Sequence, residues 1–279
     1  LESSSWHVHG ADITEGIDAI RSFAAQAESL PYDLVVHAAA HAPHRAAIDS
    51  DRRAFPYNVM LDAAMFEWAI RTRQRHVVYL SSSAVYPVGL QGEHGWRTTA
   101  DRGFIGDRRL FEAQDDGEPF DDYGRTKLIG ERMANAVRHA DVNVTVVRPF
   151  TGYGEDQSEK FPFGAFVARA RRGEDPFTIW GSADQVRDFI HIDDICAGIM
   201  AIVNAEAGGP VNLCTGRATT MLELARLVCR EAGYVPAFKV DKKAPLGVHY
   251  RVGDPRRMNT FYTAKVTLEE GIRRAIQLR

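Results

Sequence analysis

The sequence predicts an α/β fold in which helices cover both faces of a doubly wound parallel sheet, followed by a smaller α/β lobe. Strand-like and helix-like segments alternate through the first part of the chain, the pattern of repeated strand–helix–strand units. The strand-like segments VVHAAA and HVVYLSS begin as continuous apolar runs, which is typical of strands that are buried on both faces.

The elements of the first half follow one another with short connections. We predict strands over residues 7–11, 33–40, 76–82 and 142–148, and helices from Thr14 through Ala24, over 59–71 and over 122–138. The transitions HAAA, LSSSA and VRPF fall at strand ends. Because the ligand crevice of such a sheet lies at the carboxyl ends of its strands, we expect the functional site there.

The second half has shorter elements and more glycine and proline. We expect helices over 163–172 and from Asp193, Thr220 and Thr267, and strands over 177–180, 187–192, 238–240 and around VNLCTG. His191, Asp193 and Asp194 are interpreted as a strand end with an aspartate helix cap, in preference to a metal cluster.

Composition excludes several functional classes. The net charge of −3 gives no reason to expect nucleic-acid binding, and no apolar run reaches transmembrane length. Cys196, Cys214 and Cys229 have neither metal-ligand spacing nor an even number. We expect them to be small buried side chains in a cytoplasmic protein that has no membrane partner.

The strongest local signal is the pair Tyr123 and Lys127 at the start of a predicted helix. Residues at i and i+4 share a helix face, so the lysine ammonium is expected to lower the pKa of the phenol. Such a tyrosine can exchange a proton with a hydroxyl or carbonyl group.

Three serines, Ser81–Ser83, directly follow a buried strand. A hydroxyl at this place could donate to an oxygen that gains charge during a reaction. The alternative is that these hydroxyls satisfy backbone groups of a turn.

Taken in order along the chain, these motifs resemble the extended short-chain dehydrogenase/reductase family, also called the NAD-dependent epimerase/dehydratase family. The matching segments are VVHAAA, Asn58-Val59, LSSSAVYP, the Tyr123/Lys127 pair, VRPFTGYG, RDFIHIDD and RVGD. The resemblance implies a Rossmann-type fold that binds NAD, with NADP not excluded. It implies a dinucleotide-binding domain over residues 1–150 and a substrate lobe over 151–279, of which 187–206 return to the first domain.

The resemblance also implies roles for particular residues. Tyr123 becomes the catalytic acid/base, Lys127 its electrostatic partner and Ser82 the hydroxyl that supports proton transfer. The residues expected to bind the cofactor are Asp12, Ile13, Ala38, Ala39, Ala40, Asn58, Tyr123, Lys127 and Pro149.

The substrate implied is a nucleotide-diphosphate sugar. The residues expected to contact it are Ser83, Thr151, Arg187, Arg251 and Asp254. Guanidinium groups suit the phosphate oxygens, and a carboxylate suits ribose hydroxyls. The family also implies a homodimer built from the two helices after Asn58 and Tyr123. Met60, Ala64, Ala134 and Val137 are candidate contact residues, unless they face the sheet instead.

Three features depart from the family pattern. No G-x-x-G-x-x-G loop joins a first strand to a first helix, and we expect the chain to begin after that unit and its acidic ribose-binding residue. Ser83 and Ala84 stand where the family's 4,6-dehydratases carry an Asp-Glu pair. The stretch from Val88 to Asp122 is long and charged, and is either a flap over the site or a surface loop.

The leading interpretation is a nucleotide-sugar epimerase that oxidises its substrate transiently to a keto-sugar and then returns the hydride. A sugar ketoreductase or carbonyl reductase that uses NAD(P)H once is the first alternative. A nucleotide-sugar dehydratase and a catalytically inactive binding homologue follow.

Overall fold

The central sheet is parallel and holds four strands in the described part of the chain. The structure, a computed structural model, describes residues 6–12, 18–25, 31–41, 51–92, 104–105, 108–244 and 246–278. The strands in chain order are β1 (Val35–His37), β2 (His76–Leu80), β3 (Phe104–Ile105), β4 (Arg108–Arg109), β5 (Asn143–Pro149), β6 (Thr151–Tyr153), β7 (Phe177–Trp180), β8 (Val186–Arg187), β9 (Phe189–His191), β10 (Pro210–Leu213), β11 (Thr219–Thr220), β12 (Phe238–Asp241) and β13 (Tyr250–Arg251). The sheet order is β1-β2-β5-β10.

Helices connect these strands and cover the sheet. The α-helices in chain order are α1 (Ala19–Ala25), α2 (Ala54–Arg71), α3 (Asp122–Val137), α4 (Pro162–Arg171), α5 (Ile192–Asn204), α6 (Met221–Glu231), α7 (Arg256–Asn259) and α8 (Leu268–Gln277). No described helix has the length and apolar character needed to cross a membrane.

Strand β2 is the best buried strand of the sheet. Its second residue, Val77, pairs with Val35 of β1 on one side and with Val144 of β5 on the other. Val77 and Val78 are fully buried, and they belong to cores on opposite faces of the sheet. The predicted doubly wound parallel α/β fold is therefore confirmed.

Helices α2 and α3 lie side by side on one face of the sheet. Their buried positions Met65, Ala134 and Val137 pack with Val77 and other strand residues in one apolar cluster. Helix α5 covers the opposite face. Burial of one stripe of each helix against the sheet is what drives these helices into place.

A second apolar cluster organises the chain beyond β6. It joins α4, α6 and α8 to the β7–β12 pair through residues such as Phe166, Phe177, Leu224 and Ile272. Strand β10 nevertheless lies in the central sheet. The division at residue 150, with 187–206 returning to the first domain, stays a prediction.

Several predicted helix starts have the expected caps. The Thr220 and Thr267 hydroxyls accept hydrogen bonds from the Glu223 and Glu270 backbone N–H groups, at 3.0 and 3.2 Å. At α5, however, the cap is His191, whose Nδ1 accepts from the Asp193 N–H at 3.2 Å. The predicted aspartate cap is wrong because the imidazole already satisfies that N–H group.

Three local predictions at the N-terminal side need correction. Residues 7–11 form no strand, because β1 pairs only with β2 among the described residues and offers this segment no backbone ladder. Helix α1 is capped by Asp18, which accepts from the Ile20 N–H at 2.9 Å, and Thr14 lies outside the described residues. Helix α2 begins at Ala54, ahead of the predicted start.

Two further expectations about burial are partly wrong. Cys214 and Cys229 are buried free cysteines, whereas Cys196 is exposed. Ala134 and Val137 face the sheet, so these two candidates for a dimer contact are core residues. These residues could have faced either a second copy of the protein or the sheet, and the packing of α3 against β2 and β5 places them against the sheet.

The second half of the 88–122 stretch is anchored to the fold. Phe111 is buried, its N–H donates to the Val252 carbonyl at 2.8 Å, and its carbonyl accepts from the Asp254 N–H at 3.0 Å. The Ala113 carbonyl accepts from the Arg148 guanidinium at 3.0 Å. These contacts fix residues 111–113 to the fold. Residues 93–103, 106 and 107 lie outside the described residues, so the choice between a flap and a surface loop stays a prediction for that part of the stretch.

Candidate active site

A cavity of about 910 Å³ runs along β1 and past its carboxyl end. Four of the predicted cofactor residues line it, namely Asp12, Ala38, Ala39 and Ala40. The small alanine side chains leave space directly at the strand end. Ile13 lies outside the described residues.

Asn58 holds the wall of this cavity. Its side-chain oxygen accepts from the His41 N–H at 2.7 Å, and its side-chain nitrogen donates to the His41 carbonyl at 2.9 Å. Both polar ends of the buried amide are thus used by the backbone that follows Ala38–Ala40. Its direct contact with the cofactor stays a prediction.

The structure brings Tyr123 and Ser82 together. Helix α3 begins beside them because the Asp121 carboxylate accepts from the Gly124 N–H at 2.9 Å. The Ser82 hydroxyl accepts from the Ala84 N–H at 3.1 Å, and its hydrogen bond with the Tyr123 phenol favours the phenolate. The Ser82 hydroxyl therefore satisfies a backbone N–H group of the turn and also bonds to the Tyr123 phenol.

Gly124 permits this approach. A Cβ atom at this position would collide with the carbonyl oxygen of Ala84, in the same turn as Ser82. Sequence reasoning missed Gly124, since a glycine at the start of a helix has no distinctive pattern. Only the packing of the serine turn on α3 reveals the requirement.

Lys127 lies one turn after Tyr123 and is buried. Its Nζ is 5.0 Å from the centre of the Tyr79 ring. Burial lowers the pKa of Lys127, and Asp62 opposes this effect. Burial, followed by Asp62, raises the pKa of Tyr123 to about 12, and the Ser82 hydrogen bond and Arg251 oppose the rise. The expectation that the pKa of this phenol is lowered is therefore wrong for the protein alone, because desolvation outweighs the nearby positive charge.

Arg187 and Arg251 are neighbours across two strands. They are register partners in the parallel pair β8–β13, although 64 positions separate them in the sequence. Burial and the charge of Arg251 lower the pKa of Arg187 to about 9. In the described part of the chain, Arg187 forms no ion pair with a carboxylate; its guanidinium donates to the Val186 and Val248 carbonyls, both at 2.8 Å.

Gln91 positions Arg251 and was missed by sequence reasoning. Its side-chain oxygen accepts from Arg251 Nε at 2.7 Å, and its side-chain nitrogen donates to the Tyr86 carbonyl at 2.7 Å. Gln91 is 1% exposed, a rare burial for glutamine. It lies in a segment with no periodicity, so no sequence signal identified it.

Asp188 ties together the backbone around the arginines. Its carboxylate accepts from the Thr215 N–H and hydroxyl, the Gly216 N–H and the Gly253 N–H at 2.7–3.3 Å. Burial raises the pKa of Asp188 to about 6 although these donors favour the ionised form. The sequence contained one signal for this role, namely an acidic residue next to Arg187 inside an apolar strand. A carboxylate at such a place implies buried hydrogen-bond partners.

The other predicted substrate residues, and Pro149 of the predicted cofactor set, have the following places in the structure. The Thr151 N–H donates to the Asp188 carbonyl at 2.9 Å, and Pro149 ends β5 beside it. Ser83 is buried in the turn after Ser82. The Asp254 carboxylate accepts from the Arg256 side chain at 2.7 Å, so an intramolecular partner already uses it.

The comparisons with known proteins agree with this arrangement. Residues 2–214 match the model of the NAD dependent epimerase/dehydratase family. The chain is 30% identical over 157 residues to a dTDP-4-dehydro-6-deoxy-D-allose reductase of Streptomyces bikiniensis, covering 54% of this chain and 46% of that protein. It is 24% identical over 280 residues to the GDP-mannose 3,5-epimerase of Arabidopsis thaliana, covering 94% and 64%.

Solved structures share the fold. The UDP-glucose 4-epimerase of Thermus thermophilus, in complex with NAD, superposes with a TM-score of 0.75 at 19% identity, covering 92% of this chain and 79% of that one. The chain spans about half the length of curated relatives that it matches. Because the family match extends over most of the sequence, the chain belongs to the NAD dependent epimerase/dehydratase family.

Proposed function

We propose that this protein is an NAD-dependent epimerase of nucleotide-diphosphate sugars, which oxidises a sugar hydroxyl transiently and returns the hydride to the other face. One observation carries the proposal: Arg251, the register partner of Arg187, lies close enough to Tyr123 for its charge to oppose the raised pKa of that phenol. In this proposal the diphosphate binds at the two arginines, next to the group that transfers the proton.

The cavity beside Ala38–Ala40 supports binding of a dinucleotide. The alanines leave room along the strand end, and Asp12 supplies a carboxylate at its rim, so the residues present fit such a ligand. In this proposal Lys127 holds the ribose next to the reacting ring, and Pro149 lies beside that ring. NAD, when bound, supplies the hydride acceptor and a positively charged ring.

Tyr123 performs the proton transfer in this mechanism. As phenolate it removes the proton of the sugar hydroxyl while the hydride leaves the carbon, and as phenol it returns the proton after the sugar has turned. Because burial raises its pKa to about 12, the phenolate depends on Arg251 and on the Ser82 hydrogen bond, both of which oppose this rise. In this proposal the Lys127 ammonium, one helical turn away, adds further positive charge.

The two arginines determine the substrate class. Guanidinium groups bind phosphate oxygens in a fork geometry, and each charged hydrogen bond contributes about 1.5–3 kcal/mol. Burial and, after it, repulsion from Arg251 lower the Arg187 pKa, and a diphosphate between the two arginines would relieve the repulsion. Thr151 and Ser83 complete the polar surface around this ligand, and Asp254 contacts the nucleoside only if it exchanges its bond with Arg256.

A ketoreductase is the second candidate, favoured by the similarity to the dTDP-4-dehydro-6-deoxy-D-allose reductase. A dehydratase is disfavoured because Ser83 and Ala84 are neither acids nor bases suited to elimination. An inactive binding homologue is disfavoured because Ser82, Tyr123 and Lys127 are all present and assembled.

The decisive experiment incubates the protein with UDP-, dTDP-, GDP-, ADP- and CDP-sugars and follows the sugar by NMR. An epimerase converts one epimer into another with catalytic NAD⁺ and retains deuterium placed on the reacting carbon. Stoichiometric consumption of NAD(P)H with a keto-sugar would instead establish the reductase. Turnover of a neutral carbonyl compound, with no binding of any nucleoside diphosphate, would overturn the proposal.

A further inference from the structure

A buried carboxylate with no role in the proposed mechanism lies beneath the catalytic pair. Asp62 is 1% exposed and belongs to the buried stripe of α2. Its Oδ1 is 2.8 Å from His37 Nε2, and its Oδ2 accepts from the Tyr79 hydroxyl at 2.6 Å. An ionised carboxylate can only accept hydrogen bonds, and two polar groups that can donate, the His37 ring and the Tyr79 hydroxyl, are within bonding distance of its oxygens.

Helix α3 passes directly over this group. A Cβ atom at Gly130 would collide with the Tyr79 hydroxyl and would lie 2.7 Å from Asp62 Oδ2. Lys127 precedes Gly130 by three residues, on the same helix face, and its Nζ lies over the Tyr79 ring. A glycine at 130 thus lets α3 pack closely against the Tyr79 hydroxyl and the Asp62 carboxylate.

The buried ammonium group of Lys127 requires a nearby negative charge to stay protonated. An ammonium group that is 2% exposed tends to lose its proton unless an anion compensates it. Two carboxylates face this region, Asp62 from α2 and Glu131 from α3. Glu131 is paired with Arg148 at 2.7 Å and accepts from the Ser81 hydroxyl at 2.5 Å. The other ionisable groups that face Lys127 are Tyr123 on its own helix, Tyr79 on β2 and, behind Asp62, His37 on β1.

We propose that Asp62, held by His37 and Tyr79, is the buried counter-charge that keeps Lys127 in its ammonium form beneath Tyr123. It is a positioning residue: it touches neither substrate nor cofactor and acts through the lysine. Its relevance to turnover rests on the proposed function, but the charge of Lys127 can be measured without turnover. The pKa effect of Asp62 on Lys127 has the sign that this role requires.

The test is a titration of Lys127 by NMR in full-length protein that carries ¹³Cε-labelled lysine. The sequence contains six lysines, so the Lys127 signal is assigned by its loss in Lys127→Arg. In Asp62→Asn the Lys127 midpoint moves to lower pH than in the wild type. In Tyr79→Phe, which keeps the carboxylate, the midpoint moves less. A midpoint that is identical in the wild type and in folded Asp62→Asn overturns the proposal.

A second variant keeps the test decisive if Asp62→Asn does not fold. Asp62→Ser also removes the negative charge but keeps a hydroxyl that can bond to His37 or Tyr79, and its Lys127 midpoint moves to lower pH than in the wild type. An unchanged Lys127 midpoint in this variant contradicts the proposal. Because neither titration needs a substrate, failure to find epimerase activity would leave the two results independent.

Where substrate turnover is measurable, the pH profile adds a third readout. Loss of the Asp62 charge lowers the pKa values of both Lys127 and Tyr123, since Asp62 raises each of them. The whole profile of Asp62→Asn therefore shifts to lower pH. A reduced kcat at every pH without any shift would indicate a merely structural role.

Discussion

At the scale of single residues, Tyr123 is the group on which proposed turnover depends most. Tyr123→Phe removes only the phenolic oxygen and its proton, so we expect the fold and cofactor binding to remain. General acid–base groups typically contribute on the order of 10²–10⁴-fold. We therefore expect kcat on the true substrate to fall by that amount in steady-state assays.

The matched control is Tyr234→Phe, which also removes one hydroxyl. That hydroxyl donates to the Glu174 carbonyl at 3.3 Å in the apolar cluster of the second lobe. The kcat of Tyr234→Phe should stay close to the wild-type value. Near wild-type turnover by Tyr123→Phe would show that another group transfers the proton.

The second prediction at this scale concerns Arg251. Arg251→Ala should weaken the binding of a free nucleoside diphosphate by roughly tenfold to a hundredfold, because it removes a charged contact worth about 1.5–3 kcal/mol. NAD binding should be unaffected. Isothermal titration calorimetry measures both affinities on the same protein sample.

Arg172→Ala serves as its control, since Arg172 is an exposed arginine whose side chain pairs with Glu159. This variant should bind the diphosphate as the wild type does. Equal affinities in wild type and Arg251→Ala would remove Arg251 from the substrate site.

Residue-level prediction from the sequence succeeded where the information was local. Tyr123 and Lys127 could be placed on one helix face from their spacing alone, and the serine turn from the end of an apolar run. Asp62, Gln91 and Asp188 could not be assigned, because their partners come from distant strands and loops. Asp62 carried a weak signal, an acidic residue inside the apolar stripe of a helix.

At the scale of elements, the approach of α3 to the serine turn depends on Gly124. Gly124→Ala places a methyl group against the Ala84 carbonyl, so the helix start must move away from Ser82. We expect this variant to lose most of its turnover and to melt at a lower temperature. Differential scanning fluorimetry and the NMR-based turnover assay measure the two effects.

Gly89→Ala is the corresponding control, because a Cβ atom there has no neighbour within 4 Å. It should retain both the melting temperature and the activity of the wild type. If Gly124→Ala has the melting temperature and turnover of the wild type, the start of α3 tolerates displacement from Ser82.

Element prediction was accurate for buried strands and poorer at the sheet edge. β2 contains a continuous apolar run, β5 is rich in valine, and both strands have neighbours on two sides and lie close to their predicted limits. Residues 7–11 (HVHGA) have only two apolar side chains and no ladder, because strand formation requires a partner as well as a pattern. Sequence periodicity contains no information about that partner.

At the scale of the whole molecule, α2 and α3 suggest how two copies would associate. Met60 and Ile70 of α2 are 57% and 43% exposed, and Ala136 of α3 is exposed beside them. We predict a homodimer formed by this face, and the double variant Met60→Glu/Ile70→Glu should be monomeric. Sedimentation velocity at micromolar concentrations measures the mass of each species.

Val235→Glu is the control for a general effect of added charge, because Val235 is 94% exposed in the other lobe. It should leave the mass unchanged. A wild-type protein that sediments as a monomer throughout this range would contradict the prediction. Ala134 and Val137 take no part in this surface, since both are buried against the sheet.

The pairing of Arg187 with Arg251 affects both the folding stability of the protein without ligand and its affinity for an anionic ligand. Like charges placed opposite each other on neighbouring strands destabilise the pairing of those strands. The protein without ligand therefore carries an unfavourable interaction that an apolar pair would not have. In the proposed function a bound dianion would convert this repulsion into attraction, so the fold itself would supply part of the affinity. Selection for thermal stability alone would tend to remove one arginine, and with it the proposed recognition of a diphosphate.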